Sequence, residues 1–266
     1  MTNAPLSLLI IDPQNDFCDI PGAALPVPGA DADLRRLAAL VRSRAADIES
    51  ITITLDSHRR LDIAHPGFWQ AGDGSAVAPF TQITAAQLRA GEFRPRDAAA
   101  LPRAQAYLDE LAARGRYTLM VWPVHCEIGS WGHNVHAELH AALAEWEEQR
   151  QRNVDYVVKG TNPWTEHYSA LQAEVPDAAD PGTQLNEALI ARLDMAGRLL
   201  IAGEASSHCV RATVEHLAAH LPSRDLARLV LLTDCMSPVA GFEAQHAAFL
   251  QALQSRGARL ATSTEL

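Results

Sequence analysis

Short apolar runs alternate along the chain with longer stretches in which apolar residues recur every three or four positions. The runs predict strands at 6–12, 50–58, 117–122, 154–160, 198–203, 228–234 and 259–262. The longer stretches predict helices near 34–41, 101–114, 135–146, 184–194, 209–221 and 241–255. A continuous apolar run such as "LSLLIID" (6–12) is typical of a strand that is buried on both faces of a sheet. The pattern therefore predicts an α/β protein.

The order of these elements indicates how the strands pair. Strands separated by helices pair in parallel through right-handed crossovers, which leave helices on both faces of the sheet. The chain has 266 residues, a length that fits one α/β domain, and it shows no internal repeat or low-complexity linker. We therefore predict a single three-layer α/β/α domain over residues 1–266, built on a mostly parallel sheet.

Polar side chains of catalytic types follow four of the predicted strands. Asp12 ends the first strand, Asp56 and His58 end the second, Lys159 ends the fourth, and Cys209 follows the fifth. Each alone has an ordinary structural explanation, as a turn cap, a solvated lysine or a small buried cysteine. Because ligands of parallel sheets bind beyond the carboxyl ends of the strands, the convergence of these residues on one edge indicates a functional site.

The residue types at this edge suit nucleophilic catalysis. Cys209 lies in "AGEASSHCVRATVEHLA" (202–218), near the first turn of a predicted helix. A thiol attacks only as the thiolate, which a helix N-terminus and a nearby Lys159 ammonium both favour. Asp12 is suited to take the proton and return it to a leaving group. Backbone N–H groups of the turn before Cys209 are suited to an oxyanion, so the set predicts acyl-transfer chemistry.

Composition and charge exclude several classes of protein. The net charge is −10, without a long basic block, so neither a nucleic acid nor a membrane surface is an expected partner. No apolar run approaches the roughly 20 residues of a membrane-spanning helix, and the N-terminus lacks the basic region of a signal peptide. Four cysteines without a CxxC pair are typical of a cytoplasmic protein, in which a disulfide at Cys209 is not expected.

Five short motifs resemble those of a known family. "LLIIDPQNDF", "TLDSH", "VWPVHC", "VVKG" and "AGEASSHCVRAT" occur in the order and spacing of the nicotinamidase/pyrazinamidase branch of the isochorismatase-like cysteine hydrolases. The resemblance covers nearly the whole chain, and "WPVHC" is especially telling of this branch. It implies a parallel sheet flanked by helices. It also implies a metal-dependent amidase that hydrolyses nicotinamide to nicotinate and ammonia through a cysteine thioester, in NAD salvage.

The same resemblance assigns catalytic roles to individual residues. It implies Cys209 as the nucleophile, Lys159 as the residue that polarises it, and Asp12 as the acid and base. The oxyanion hole of the family usually follows a cis peptide bond before a small residue. That bond matches Glu204–Ala205, and the backbone amides of Ala205 and Cys209 would be the donors.

A divalent metal ion is also implied by the resemblance, with zinc expected and iron or manganese as alternatives. Its protein ligands match Asp56 and His58 in "LDSH" and His125 in "WPVHC", with water in the remaining positions. One carboxylate and two imidazoles with open positions suit such metals. His65 in "DIAHP" is an alternative third ligand, and the motif match favours His125.

Four aromatic residues are candidates for the substrate pocket. Phe17 matches the aromatic residue of the "NDF" motif and is expected to line the pocket for the substrate ring. Trp69, Trp122 and Tyr168 are further candidates, although an aromatic side chain is more often part of the core. The expected partner is therefore a small-molecule amide. By analogy with the family, the chain is also expected to form a homo-oligomer.

The sequence departs from the family pattern at three places. Ser57 stands where the family usually has tryptophan between the metal-binding Asp and His, and His208 stands where tyrosine is common. The stretch at about 59–116 is long, and we expect it to form a cap-like insertion near the metal. These departures leave another small amide or a carbamoyl compound as the alternative substrate. A non-catalytic binding protein and a thiol redox protein are further alternatives, which the Asp–Lys–Cys set and the missing CxxC pair disfavour.

Overall fold

The computed structural model describes residues 5–266, which contain ten strands and seven α-helices. The strands are β1 Leu6–Ile11, β2 Ile48–Asp56, β3 Trp69–Ala71, β4 Thr81–Ile83, β5 Phe93–Pro95, β6 Leu119–Val121, β7 Asp155–Lys159, β8 Arg198–Gly203, β9 Leu229–Leu232 and β10 Arg259–Ala261. The helices are α1 Ala30–Ser43, α2 Ala85–Ala90, α3 Leu101–Arg114, α4 Ala137–Arg150, α5 Glu187–Asp194, α6 Arg211–His220 and α7 Glu243–Ser255. None of these helices combines the length and apolar character needed to span a bilayer.

Six strands form one parallel sheet in the order β10-β9-β8-β1-β2-β7. The central strand β1 pairs with β2 on one side and β8 on the other. In that register Ile11 is opposite Gly203, and Asp56 is opposite Lys159 on the outer pair. The carboxyl ends of β1, β2, β7 and β8 therefore meet at one edge, which confirms the parallel sheet expected from the sequence.

Helices cover both faces of this sheet, as the three-layer prediction requires. Alternate residues of β1 point to opposite faces: Leu8 and Ile10 pack with α1 and α4. Leu9 and Ile11 belong to the other core, which contains residues of α5, α6 and α7. The burial of β1 on both faces explains why its sequence reads as an uninterrupted apolar run.

Residues 59–116 form the predicted insertion, which has a hydrophobic core of its own. This core includes Ile63, Trp69, Leu88, Leu108 and Val121. Two small antiparallel pairs, β3 with β5 and β4 with β6, bound it. The insertion therefore packs as a structured cap rather than as an open loop.

One strand prediction was wrong in its pairing. The run 117–122 was expected to join the parallel sheet, but β6 pairs antiparallel with β4 of the insertion. Its regular part is three residues long, and its inward side chains Leu119 and Val121 are buried in the core of the insertion. The apolar face of β6 is therefore buried against the insertion, while Met120 on its other face packs against one of the two cores of the central sheet.

Candidate active site

The edge formed by the ends of β1, β2 and β7 brings together Asp12, Thr54 and Lys159. The Thr54 hydroxyl donates to Asp12 Oδ1 at 2.5 Å, and Lys159 Nζ lies 2.9 Å from Asp12 Oδ2. All three side chains are buried. An ammonium removed from water needs such partners, so Lys159 is fixed in place rather than solvated.

Cys209 lies in a π-helical turn, Ser206–Val210, that leads directly into α6. Its Sγ is 3.7 Å from Lys159 Nζ, and Asp12 lies close enough to raise the pKa of its thiol. The close approach depends on Gly203, which has φ +114°; a Cβ there would lie 2.0 Å from the carbonyl oxygen of Ile11. Glycine at the end of β8 therefore lets the turn press against β1 and bring Cys209 to Asp12.

The electrostatics of this group favour a resting thiol. Burial raises the pKa of Cys209 well above its ordinary value, and the nearby Lys159 ammonium lowers it only in part. Burial likewise raises the pKa of Asp12. For Lys159, burial lowers the pKa, but Asp12 and Asp56 raise it more, so the net pKa is well above its ordinary value. The ammonium is therefore permanent, and the mobile proton belongs to the Cys209–Asp12 pair.

One backbone amide beside the thiol has no internal acceptor. The Glu204–Ala205 peptide bond is cis, as expected from the sequence. Within residues 5–266, the Ala205 N–H donates no hydrogen bond, although Ala205 is buried and lines the same cavity as Cys209. Buried N–H groups are rarely left unpaired, so the Ala205 amide, next to the first turn that carries Cys209, is suited to receive a negatively charged oxygen.

A cluster of histidines adjoins the thiol. One side-chain nitrogen from each of His58, His65 and His125 lies within 4.8 Å of the others. Asp56 Oδ2 is 2.9 Å from His58 Nε2 and 3.4 Å from His125 Nε2. His65 and His125 were alternatives in the sequence analysis, and the structure brings both to the same point.

The outer nitrogen of each imidazole is held by an oxygen. Nδ1 of His58 bonds to Asp62, Nδ1 of His65 to the Arg59 carbonyl, and Nδ1 of His125 to the Pro123 carbonyl, at 3.1, 3.2 and 2.8 Å. Each ring therefore has an oxygen partner at Nδ1 and turns its Nε2 toward the cluster, an orientation found in metal sites.

The charge of the cluster suits a cation. Burial lowers the pKa of His65 to about 3, so its lone pair is free. For His58, burial also lowers the pKa, but the Asp56 and Asp62 carboxylates raise it well above its ordinary value. Binding of a cation there would therefore release a proton from His58. Three imidazoles and one carboxylate fit zinc, iron or manganese.

A narrow cavity joins the thiol to the histidine cluster. Among the aromatic candidates, Phe17, Trp122 and Tyr168 line it, together with His125 and Cys209. The Trp122 indole donates to the Tyr168 hydroxyl at 3.0 Å, so these two side chains form a fixed wall. The cavity is thus aromatic at its sides and polar at its two ends.

Trp69 does not line this cavity, so its assignment to the pocket was wrong. Its side chain is fully buried in the core of the insertion, and its indole donates to the carbonyl oxygen of Ile63 at 2.7 Å. It therefore supports the loop that carries Asp62 and His65.

Two polar residues of the cavity were missed, together with the apolar Leu25 and Val239. His208 packs against Trp122 and Tyr168 with ring centroids 5.3 and 5.4 Å away, and burial lowers its pKa to about 4. Its position directly before Cys209 in the sequence could have identified it as a candidate. Glu166 lies 4.0 Å from His58, and burial raises its pKa to about 7. It belongs to a loop without periodicity, which offered no signal.

Comparisons with known proteins agree with this architecture. No family model and no curated protein matches the chain, whereas several solved structures do. The yeast nicotinamidase has a TM-score of 0.64 at 19% identity, covering 96% of this chain and 99% of its own. A Pyrococcus horikoshii pyrazinamidase in complex with zinc has a TM-score of 0.58 at 21% identity, covering 97% and 98%. An isochorismatase-like hydrolase from Alkaliphilus metalliredigens has 0.56 at 17%, covering 98% and 97%. The chain therefore has the isochorismatase-like fold that its motifs predicted.

Proposed function

We propose that this protein is a cysteine amidohydrolase that converts nicotinamide, or a closely related heteroaromatic carboxamide, to the acid and ammonia. The observation that carries the proposal is the meeting of Cys209, Asp12 and Lys159 at one end of an aromatic cavity, with Lys159 Nζ 3.7 Å from the Cys209 sulfur. The solved nicotinamidases and pyrazinamidases of the same fold support this assignment.

The first half of the reaction is acyl transfer to the thiol. Asp12 takes the proton of Cys209, and the thiolate attacks the carboxamide carbon. The amides of Ala205 and Cys209 donate to the oxygen that becomes negative. Asp12 then gives its proton to the nitrogen, the carbon–nitrogen bond breaks, and ammonia leaves behind a thioester on Cys209. Lys159 keeps its charge throughout and stabilises the thiolate.

The second half is hydrolysis of the thioester. Asp12, which is ionised again after ammonia has left, takes a proton from a water molecule, and the resulting hydroxide attacks the thioester carbon. The carbon–sulfur bond breaks, the acid is released, and the proton held by Asp12 returns to Cys209. Atoms and charges balance, because one water is consumed and one amide is converted to one acid and one ammonia.

Asp56, His58, His65 and His125 would hold a divalent metal, with zinc expected. Such an ion would supply a Lewis acid at the far end of the cavity, suited to a ring nitrogen or to water. The contribution of the protein is to fix the three histidines through Asp62 and two backbone carbonyls, and Asp56 through Lys159.

The unpartnered oxygen of Glu166 favours a second class of substrate. Within the described chain, Glu166 Oε2 accepts no hydrogen bond although Glu166 lines the cavity. A small amide or carbamoyl compound with an additional N–H or O–H group would satisfy it. Hydrolysis of such an amide by the same three residues is therefore the alternative function.

An ammonia-release assay distinguishes these possibilities. The panel contains nicotinamide, pyrazinamide, benzamide, an aliphatic amide and a carbamoyl compound, each with and without a chelator, beside metal analysis of the purified protein. Fastest turnover of nicotinamide and its loss on chelation are expected. Turnover confined to carbamoyl compounds would establish the alternative, and no ammonia from any amide would refute the amidase. A role in NAD salvage, a cytoplasmic location and homo-oligomer formation stay predictions.

A further inference from the structure

Two buried carboxyl groups lie next to each other behind the turn that carries the nucleophile. Glu204, the first residue after β8, is completely buried, and Asp33, in the first turn of α1, is 3% exposed. Ser237 donates hydrogen bonds to both of them, and each carboxyl group shifts the pKa of the other. Glu204 is not among the residues that line the cavity, so it does not contact the substrate.

A hydrogen bond between two carboxyl groups requires a proton on one of them. Glu204 Oε1 receives no hydrogen bond from the described chain, as expected of an oxygen that carries the proton and donates it to Asp33. Arg36 pairs with Asp33 from the partly exposed side of α1. The single guanidinium compensates the charge of Asp33, with which it pairs, so Glu204 is left as the neutral acid. Burial, and after it the nearby Asp33 carboxylate, raise the pKa of Glu204 well above its ordinary value.

Ser237 connects this pair to the catalytic turn. Its N–H donates to Glu204 Oε2 at 3.1 Å, and its hydroxyl donates to Asp33 Oδ2 at 2.5 Å. Its carbonyl oxygen accepts from the Ser206 N–H at 2.9 Å. On the opposite side, the Glu204 N–H donates to the Ile11 carbonyl at 2.7 Å. The start of the turn is thus held between β1 and α1, and both Ser237 and the Glu204 acid contribute to the link to α1.

We propose that Glu204, as a carboxylic acid hydrogen-bonded to Asp33, is a positioning residue that holds the Ala205 and Cys209 amides where they bind the oxyanion. The inference rests on the proposed acyl transfer at Cys209. It assigns to Glu204 a role that needs a neutral hydrogen-bond donor and a carbonyl acceptor in the same side chain.

Glutamine supplies both groups without an ionisable proton. In Glu204→Gln, the amide N–H₂ donates to Asp33 and the amide oxygen accepts from Ser237. Leucine has nearly the same volume and supplies neither. Asp31→Asn is a matched control, because Asp31 lies in the same turn of α1 but bonds to Arg35 and His136 instead.

Ionisation of Glu204 would place two negative charges at one buried position and break the link. We therefore expect the wild-type kcat to decline at alkaline pH in a step that Glu204→Gln lacks. The titratable and charged groups that face Glu204 or Asp33 are Cys18, Asp19, Asp31, Arg36 and His246. None of these is altered in Glu204→Gln, so loss of the step would identify the carboxyl pair.

The experiment compares kcat and KM for ammonia release, and the dissociation constant of an aromatic aldehyde, among the wild type and the three variants. The thiol adds to the aldehyde carbon and leaves a tetrahedral oxygen at the oxyanion position. Glu204→Leu should lower kcat by about 100-fold, the effect of losing an oxyanion donor, with KM changed by less than about threefold, and weaken aldehyde binding by about as much. Glu204→Gln and Asp31→Asn should remain within about twofold of the wild type on each measure.

Three outcomes overturn the proposal. The first is equal aldehyde affinity in wild type and Glu204→Leu. Because aldehyde binding can be measured whether or not any amide proves to be a substrate, this outcome is independent of the test of the proposed function. The second is a loss in Glu204→Gln as large as in Glu204→Leu. The third applies if Glu204→Leu does not fold. In that case a further variant, Asp33→Asn, is compared with Glu204→Gln. The proposal is overturned if both variants keep the alkaline decline of the wild type, in kcat or in aldehyde binding.

Discussion

The Nζ of Lys159 lies 2.9 Å from Oδ1 of Asp56, while Oδ2 of the same carboxylate faces His58 and His125. One carboxylate therefore belongs to both halves of the site. Lys159 reaches Asp12 at the same distance on its other side, so its single charge is shared between the thiol group and the histidine cluster. Changes at Lys159 are expected to affect both.

Lys159→Met keeps most of the side-chain stem and removes the charge. Alkylation of Cys209 by iodoacetamide at neutral pH should slow on the order of tenfold, because the thiolate loses its neighbouring cation. Removing one partner of a buried ion pair also costs about 3–5 kcal/mol of stability, which urea denaturation would measure. An unchanged alkylation rate in a folded variant would show that Lys159 does not activate the thiol.

Cys209→Ala should abolish ammonia release and leave the fold and ligand binding intact, because the change removes one sulfur atom from a buried turn. Steady-state kinetics, near-UV circular dichroism and titration with nicotinamide would test this. Cys235→Ala is the matched control, since Cys235 is equally buried but packs with the α1 and α4 core. Substantial turnover by Cys209→Ala would refute the covalent mechanism.

The sequence was sufficient to predict the central sheet and the residues at its edge. Strands such as β1 are buried on both faces, so they appear in the sequence as uninterrupted apolar runs and can be recognised as strands. The parallel register then brings Asp12, Lys159 and Cys209 together. The insertion was less predictable. Its strands have three regular residues each, and partners such as β4 and β6 are far apart in the chain.

The parts of the site that come from irregular segments were less predictable for the same physical reason. His65, which the sequence offered only as an alternative to His125, reaches His125 from a loop whose path is fixed by Asp62 and by a hydrogen bond from Trp69. Neither contact has a period that a sequence pattern could reveal. Glu166 likewise depends on the fold of the loop after β7, so its burial became visible only in three dimensions.

Single alanine substitutions of Asp56, His58, His65 and His125 should each lower the metal content of the purified protein by about 10-fold or more, because each removes one donor from a shared site. Elemental analysis would measure this. His133→Ala is the control: His133 lies nearby, but its Nε2 bonds to the Ser57 hydroxyl. Retention of metal in His65→Ala alone would restrict the ligands to the other three.

Glu174 should make stability depend on pH. Its side chain is buried, and burial raises its pKa to about 7, well above the ordinary pKa of a glutamate. A raised folded-state pKa stabilises the protein below about pH 4.5, and this contribution is lost as pH rises through about 7. Wild type should therefore lose up to about 3 kcal/mol over that window relative to Glu174→Gln.

Urea denaturation of both proteins between pH 4 and pH 8 would measure this difference. Arg116 lies 4.0 Å from Glu174 and 3.0 Å from Glu215. Glu215→Gln is the control, because the Glu215 side chain is 32% exposed; its curve should run parallel to that of the wild type. Parallel curves for the wild type and Glu174→Gln would contradict the prediction.

The same Trp→Phe substitution at Trp69 and at Trp122 should distinguish effects on metal binding from effects on substrate binding. Trp69→Phe removes the hydrogen bond to Ile63, at a cost of about 1 kcal/mol, and should weaken metal binding several-fold through the loop that carries His65. It should leave the alkylation rate of Cys209 unchanged.

Trp122→Phe removes the bond to Tyr168 in the cavity wall and should raise the KM for nicotinamide without reducing metal content. Metal competition with a chromogenic chelator and steady-state kinetics on both variants would measure these effects, and an increase in KM for Trp69→Phe at saturating metal would return Trp69 to the substrate pocket.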